Sequence, residues 1–214
     1  MKYTNLIRHE LLAGWLVAIS LLTPILPAQA LFDSPVDRLP IAADRVTLRE
    51  GKVLVQGEKG KYVGYVLVET TPEIAWAVLT DYSNFSKFIP NVVSSKILER
   101  KGNQKIIEQE DIRKLLFVNV RSRVRSAITE TPQTRIDFRR IEGDVPKLDG
   151  YWKVEPVAPY TGGKANQVLI TQVVEVQPKS GFGADAFYNI FKNALRDNLA
   201  AIKKEVGHRV LEKT

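Results

Sequence analysis

Cysteine is absent from all 214 residues, which excludes disulfides, a thiol nucleophile, thiolate metal sites and a lipid-attachment cysteine. Histidine is nearly missing: His9 and His208 are the only two, each close to an end of the sequence. A Ser-His or Cys-His nucleophile therefore lacks its base, and a metal site built on imidazole or thiolate ligands is excluded in practice. No glycine-rich loop follows a strand and opens a helix. Gly181-Phe182-Gly183 precedes a helical stretch but lacks the P-loop lysine and the dinucleotide spacing, and Gly162-Gly163 is a turn. No cofactor is expected. Beyond residue 30 there is no further long apolar segment, no internal repeat and no low-complexity stretch.

Charge is present in quantity, 31 Lys and Arg against 24 Asp and Glu, for a net +7. Such a surplus suits an anionic membrane surface or an acidic partner, although a mild excess more often serves solubility. The first 30 residues hold Lys2 and Arg8, an apolar run over 11–26 and the small residues Ala28-Gln29-Ala30 at cleavage spacing, the pattern of a secretory signal peptide. The alternative is an uncleaved membrane anchor, against which the run is short for a span and Pro24 and Pro27 break its end. Export to a periplasm, an organellar lumen or the extracellular space is the expectation. A pI near 9.5 notwithstanding, export and the lack of aromatic residues between the strand arginines argue against nucleic acid as partner. After the signal peptide, residues 31–50 read as a loosely packed lead-in. Pro35 and Pro40 oppose regular structure there, with Ile41, Val46 and Leu48 docking on the body. Residues 51–206 form one domain and 207–214 a tail.

The domain is organised around residues 70–90. Thr71 can cap a helix start, Pro72 suits the first helical position and Glu73 sits at the positive end of the dipole. Ile74, Ala77 and Val78 then form one apolar stripe, flanked by Trp76, until Asp81-Tyr82-Ser83-Asn84 breaks it. A second short helical segment carries Phe85, Phe88 and Ile89 and stops at Pro90. Two strands precede this pair, 52–56 and 61–69, joined by the turn Gly57-Glu58-Lys59-Gly60; the second is apolar on both faces. Six strands follow, at 92–99, 104–112, 116–130, 134–142, 151–157 and 167–177, and their short turns imply an antiparallel meander.

The longest strand separates its faces cleanly. Val118, Val120, Val124 and Ile128 share a covered side with Ser122 and Ser126, while Asn119, Arg121, Arg123 and Arg125 share a wet side. Ile136 and Phe138 must join the covered face, which requires an odd loop; three residues, 131–133, would set Ser126 against Phe138 and Arg125 against Arg139. The result is an outer stripe of Arg121, Arg123, Arg125, Arg135 and Arg139, relieved mainly by Asp137. It is read either as an ordinary solvated face that guards against edge pairing or as a docking surface for anionic lipid or a partner. Glu108 and Glu110 share one face of their strand and Asp111 takes the other. These two glutamates are weak candidates for a general acid, a solvated face being the plainer reading. Phe187, Ile190, Phe191, Ala194, Leu195, Leu199, Ile202 and Val206 then form one stripe of a closing helix over 182–205. At roughly 30 Å that helix is long enough to cross the sheet, whose covered face is the only partner of sufficient size.

This order of elements resembles the helix-grip fold of the START-like superfamily, an α+β arrangement of a curved antiparallel sheet, two short helices and a long C-terminal helix packed across it. The closer likeness is to the polyketide cyclase/dehydrase and lipid-transport family, which includes START-type coenzyme Q-binding proteins. It is carried by TPEIAWAVLTDYSNFSKFIPNVVSSKILE, with further likeness in LLFVNVRSRV, in Gly150-Tyr151-Trp152 and in the terminal helix, and covers about 53–206. The resemblance implies a cavity between sheet and helix that takes an elongated apolar ligand such as a lipid, quinone or isoprenoid. The expected lining is Phe88, Ile89, Val120, Val124, Phe138, Trp152, Ile170, Phe187, Phe191 and Leu195, with Ser122, Ser126 and Gln172 as polar positions. The mouth is expected at residues 82–90 with the loops 143–150 and 159–166. Some members of the superfamily are cyclases or dehydratases, which leaves an enzyme acting on a polyketide-like substrate as the alternative. A module with a filled interior that uses its arginine stripe for contact is the third reading. The oligomeric state is not legible.

Overall fold

The computed structural model describes residues 34–115, 118–159, 163–179 and 183–213, with the side chains of 114–119 left aside. The signal-peptide reading of residues 1–30, Leu116-Phe117, the facing of Val118 and Asn119, and the start of the closing helix at Phe182 lie outside the described residues.

Eight antiparallel strands make one curved open sheet in the order β1-β2-β8-β7-β6-β5-β4-β3. They are β1 (Leu54–Glu58), β2 (Lys61–Glu69), β3 (Val92–Lys101), β4 (Gln104–Leu115), β5 (Val118–Thr131), β6 (Arg135–Gly143), β7 (Lys147–Val157) and β8 (Gln167–Gln177). Helix α1 is Ala42–Arg49, α2 is Pro72–Leu79, α3 is Phe85–Phe88 and α4 is Ala184–Leu211, with a 3-10 turn at Tyr82–Asn84. Together they form the helix-grip fold. α4 runs six residues past its expected end, through the segment read as a tail, and its 28 residues span about 42 Å.

Pro72 opens α2 as its composition requires, but Thr71 makes no side-chain cap. Its hydroxyl serves the Glu73 carboxylate instead, which it holds below the usual carboxylate range. The β1–β2 turn is tighter than the glycine-rich stretch suggests. Lys59 and Gly60 form a two-residue hairpin with φ of 51° and 86°, the geometry that matches strand twist.

Residues 34–50 are not a loose lead-in. Val36, Leu39 and the fully buried Leu48 pack with Leu67, Val157 and Leu169 on the outer face of β2, β7 and β8, a second small core. Arg49–Asp37 and Gln56–Asp44 bonds fasten it. Of the three side chains expected to dock, Leu48 does so, whereas Ile41 and Val46 are exposed. This is why β2 is apolar on both faces: its even residues serve the main core and its odd ones this cover.

The β5–β6 hairpin keeps the expected parity with a different register. Its three-residue loop is 132–134, which sets Phe138 against Ile128 and Arg139 against Ala127. Ile141 is then an extra residue on β6, a bulge that places Glu142 opposite Arg125 and bends the sheet.

Helix α4 is seated mainly on β2 and β1 and against α2 and α3. Gly64 makes the seat, since a Cβ there would overlap the Leu199 side chain. Tyr62 Oη donates to the Tyr188 carbonyl (3.2 Å), Lys192 Nζ to that of Gly57 (3.0 Å) and Lys203 Nζ to that of Gly51. Near the far end Arg209 pairs with Asp81 at 2.7 Å, joining the helix to the turn after α2. The helix is thus clamped along one margin of the sheet while β4–β7 curl past it.

Candidate ligand-binding cavity

Between the curled strands and the clamped helix lies a cavity of about 190 Å³. Trp152, Phe138 and Phe191 form its aromatic walls, and Ile89, Val124, Ser126 and Gln172 complete the part foreseen from sequence. Leu79, Tyr82, Phe85 and Ile89 roof it, so part of the segment expected at the mouth lies over the hollow.

Six expected ligand contacts lie elsewhere. Ile170 is fully buried and Leu195 almost so, both in solid core, Leu195 being held close to the β2 backbone at Gly64. Phe88 packs edge-on to Phe85 under the Arg209 guanidinium, and Phe187 stacks on the side of Phe191. Val120 is 37% exposed, and Ser122, opposite Asp111, lies beyond the lining. The β6–β7 turn at 144–146, within the expected 143–150 loop, and the β7 end that leads toward the expected 159–166 loop, at Val157, do not share a mouth. They flank a single strand, so they stand at opposite ends of the sheet.

The arrangement of β4 corrects the catalytic candidates. Glu108 stands opposite Arg125 and Glu110 opposite Arg123, on the outer face. There Arg125 and Arg123 bind Glu108 at 2.7 and 3.4 Å, Arg121 binds Glu110 at 2.8 Å, and Glu142 bridges Arg123 and Arg125. The bond from Arg125 holds Glu108 below the usual carboxylate range, the opposite of what a general acid needs. The same pairs, with Arg135–Asp137 at 2.7 Å, turn the expected basic stripe into a compensated ladder. Asp137 is one relief among four, and Arg139 stands on this face beside Ala127.

The inner face of β4 carries Ile107, Gln109, Asp111 and Arg113, all lining the cavity. Burial pushes the Asp111 carboxyl up to about 6, with Arg113 nearby and a bond from Gln109 working in the other direction. From the roof Tyr82 Oη donates to Glu130 Oε1 at 2.8 Å, and Lys105 pairs with the other Glu130 oxygen. Burial, reinforced by that carboxylate, pushes the Tyr82 phenol up. None of Asp111, Arg113, Glu130 or Lys105 is prominent in the sequence by composition. For the three on β4 the signal is cross-strand pairing: arginines facing out on β5 require the glutamates opposite to face out too, which turns the odd residues of β4 inward, while Glu130 follows the even, covered residues of β5.

The family model described as polyketide cyclase / dehydrase and lipid transport matches residues 68–203, more than half of the chain. Among solved structures, TTHA0849 from Thermus thermophilus aligns with a TM-score of 0.55 at 14% identity, covering 71% of this chain and 97% of its own. The Zhui aromatase/cyclase from a Streptomyces species gives 0.53 at 16%, covering 74% and 96%. A STAR-related lipid transfer protein fragment from Xanthomonas axonopodis gives 0.55 at 16%, covering 72% and 92%. At such identities the likeness is one of fold. No curated protein matches the chain.

Proposed function

The chain belongs to the polyketide cyclase / dehydrase and lipid transport family, and from that premise we propose that it is an exported carrier that encloses a hydrophobic small molecule. Its guest is a lipid, a quinone or an isoprenoid. The observation that carries this reading is the hollow walled by Phe138, Trp152 and Phe191. At about 190 Å³ it is smaller than the ~300–1,000 Å³ of most ligand sites, so a ring-sized guest fits as it stands and an elongated one requires the roof to lift. The segment from the 3-10 turn through α3 is the part proposed to move, with Tyr82 to Glu130 and, just before it, Asp81 to Arg209 among its fastenings. Native mass spectrometry of the protein purified from its own compartment tests the proposal. A co-purifying apolar compound supports it; repeated recovery of the bare chain, with no uptake of added lipids or quinones, ends it. The same preparation tests export, by whether residues 1–30 have been removed.

One observation favours the cyclase or dehydratase alternative. Asp111 is a carboxyl facing the cavity whose pKa of about 6 suits proton transfer near neutrality. Under that reading Asp111→Asn abolishes turnover of a polyketide-like substrate while the chain stays folded.

A further inference from the structure

Resting on the carrier reading, we propose that the guest is an amphipathic monocarboxylate, with its headgroup seated on Arg113 at the cavity rim and its apolar body inward against Phe138, Trp152 and Phe191. The cavity is graded along β4. Ile107, Gln109, Asp111 and Arg113 line it in turn, from apolar to charged, over about 20 Å at ~3.3 Å per residue. Arg113 stands opposite Val120, which is 37% exposed, so the charged end of the row is the end that meets solvent. Among the described residues, Asp111 and Arg113 are the only charged side chains in the lining. Asp111 accepts a bond from Gln109, whereas Arg113 acts on it through charge alone. Among the described residues the Arg113 guanidinium closes no ion pair or hydrogen bond. A planar fork of donors left open at the rim of an apolar hollow matches a molecule that is anionic at one end and greasy along the rest.

The surroundings of that headgroup set its charge. Ser122 on β5 and Val92 on β3 stand directly opposite Asp111, and the roof and α4 bring Phe85, Ile89, Phe191 and Asn198 to the same cavity; none of these is charged. Lys105, Glu130 and Tyr82 satisfy one another toward the other end of β4, and Arg140 on β6 directs its two terminal nitrogens to the Gly143 and Pro146 carbonyls. A carboxylate on Arg113 therefore meets one negative group, Asp111. Two carboxylates at one site cannot both stay ionised, so Asp111 takes a proton from solvent as the guest enters, a form that its burial already favours. One proton offsets one charge, which admits a monoanion and disfavours a phosphate dianion. An ammonium guest is repelled by Arg113, and a neutral one leaves the guanidinium unmatched.

The test is isothermal titration of the full chain with 2-naphthoate, the neutral 2-naphthamide, the cation 2-naphthylmethylammonium and the dianion 2-naphthyl phosphate, ring-sized compounds that differ in headgroup. At about pH 5.5, where Asp111 is largely protonated, 2-naphthoate should bind at least tenfold tighter than any of the others. By about pH 8 its affinity should fall at least tenfold while that of 2-naphthamide changes less than twofold. At about pH 7 its binding should take up close to one proton, read from the enthalpy in buffers of different ionisation heat. In Arg113→Met the naphthoate-to-naphthamide ratio should fall to about one, and in Asp111→Asn the pH dependence should vanish. Equal affinity of 2-naphthoate and 2-naphthamide in the unaltered chain, or tighter binding of the ammonium or the phosphate, overturns the carboxylate site and leaves the carrier reading standing. A preference that survives Arg113→Met, or naphthoate binding that ignores pH in the unaltered chain, also overturns it. Failure of all four compounds to bind overturns both readings. The unaltered chain supplies the deciding ratio whether or not either variant folds.

Discussion

Replacing Asp111 with asparagine should make the folded chain more stable at neutral pH. The carboxyl points into the cavity, and burial raises its pKa to about 6, more than Arg113 and the Gln109 bond can offset. In the unfolded chain an aspartate titrates near ~3.9. The folded state therefore holds the proton more tightly, and between about pH 4 and 6 stability must fall as pH rises. Below the unfolded value the penalty is absent; above the folded value it is complete. A displacement of about two pKa units corresponds to roughly 3 kcal/mol, an upper figure for a group that is only partly shut off from solvent. Asparagine cannot ionise, so Asp111→Asn should gain up to that amount at pH 7 and close to nothing at pH 3.5. Urea unfolding of both chains across this range reads the difference directly. A difference that does not change with pH, or an original chain more stable than the variant at pH 7, would refute the reasoning and mean that Arg113 holds Asp111 ionised at no net cost.

Three other perturbations address the frame of the cavity. Tyr82→Phe removes the bond to Glu130 beneath the roof and should cost about 1.5–3 kcal/mol, the range for hydrogen bonds to charged groups; an unchanged urea midpoint would mean the roof is not latched there. Gly64→Val drives a methyl into Leu199 where α4 is seated, at a cost of roughly 1–3 kcal/mol, and should lower Tm by several degrees in a thermal scan; an unaltered Tm would place the helix farther from β2. Ser126→Trp projects an indole into the hollow and should weaken binding of an apolar guest at least tenfold while lowering stability by less than about 2 kcal/mol. The reverse pattern would put Ser126 in solid core.

How far the sequence speaks depends on which interaction decides each feature. Local patterning determines strands and helices, so β2 and β8 fall where alternation and turn residues place them, and Pro72 opens α2. Parity across a hairpin follows from patterning too, which is why Phe138 faces inward although its partner is Ile128 and not Ser126. Register does not, because the bulge at Ile141 answers to sheet curvature, a property of the assembled strands. The cavity lining is legible where large apolar groups point inward, as with Trp152 and Phe191. It is illegible where the deciding fact is how far α4 stands from each strand: Ile170 and Leu195 lie under the clamp and are filled core, while Ile107 and Ile202 open onto the hollow. The polar residues are the least legible. Asp111, Arg113 and Asn198 look like surface residues in composition, and only the pairing of β4 with β5 and the angle of α4 turn them inward. The lead-in is misread when Pro35 and Pro40 are weighed above Val36 and Leu48, whose burial on the back of the sheet decides the matter.

The central claim is that the hollow between sheet and helix admits an apolar guest, and Trp152 reports on it from inside. With Trp15 and Trp76 replaced by phenylalanine, titration with bromocyclohexane should quench the Trp152 emission saturably, because the heavy atom can enter and touch the indole. Quenching that rises linearly without saturation, and matches that of a chain retaining only Trp76, would contradict the account.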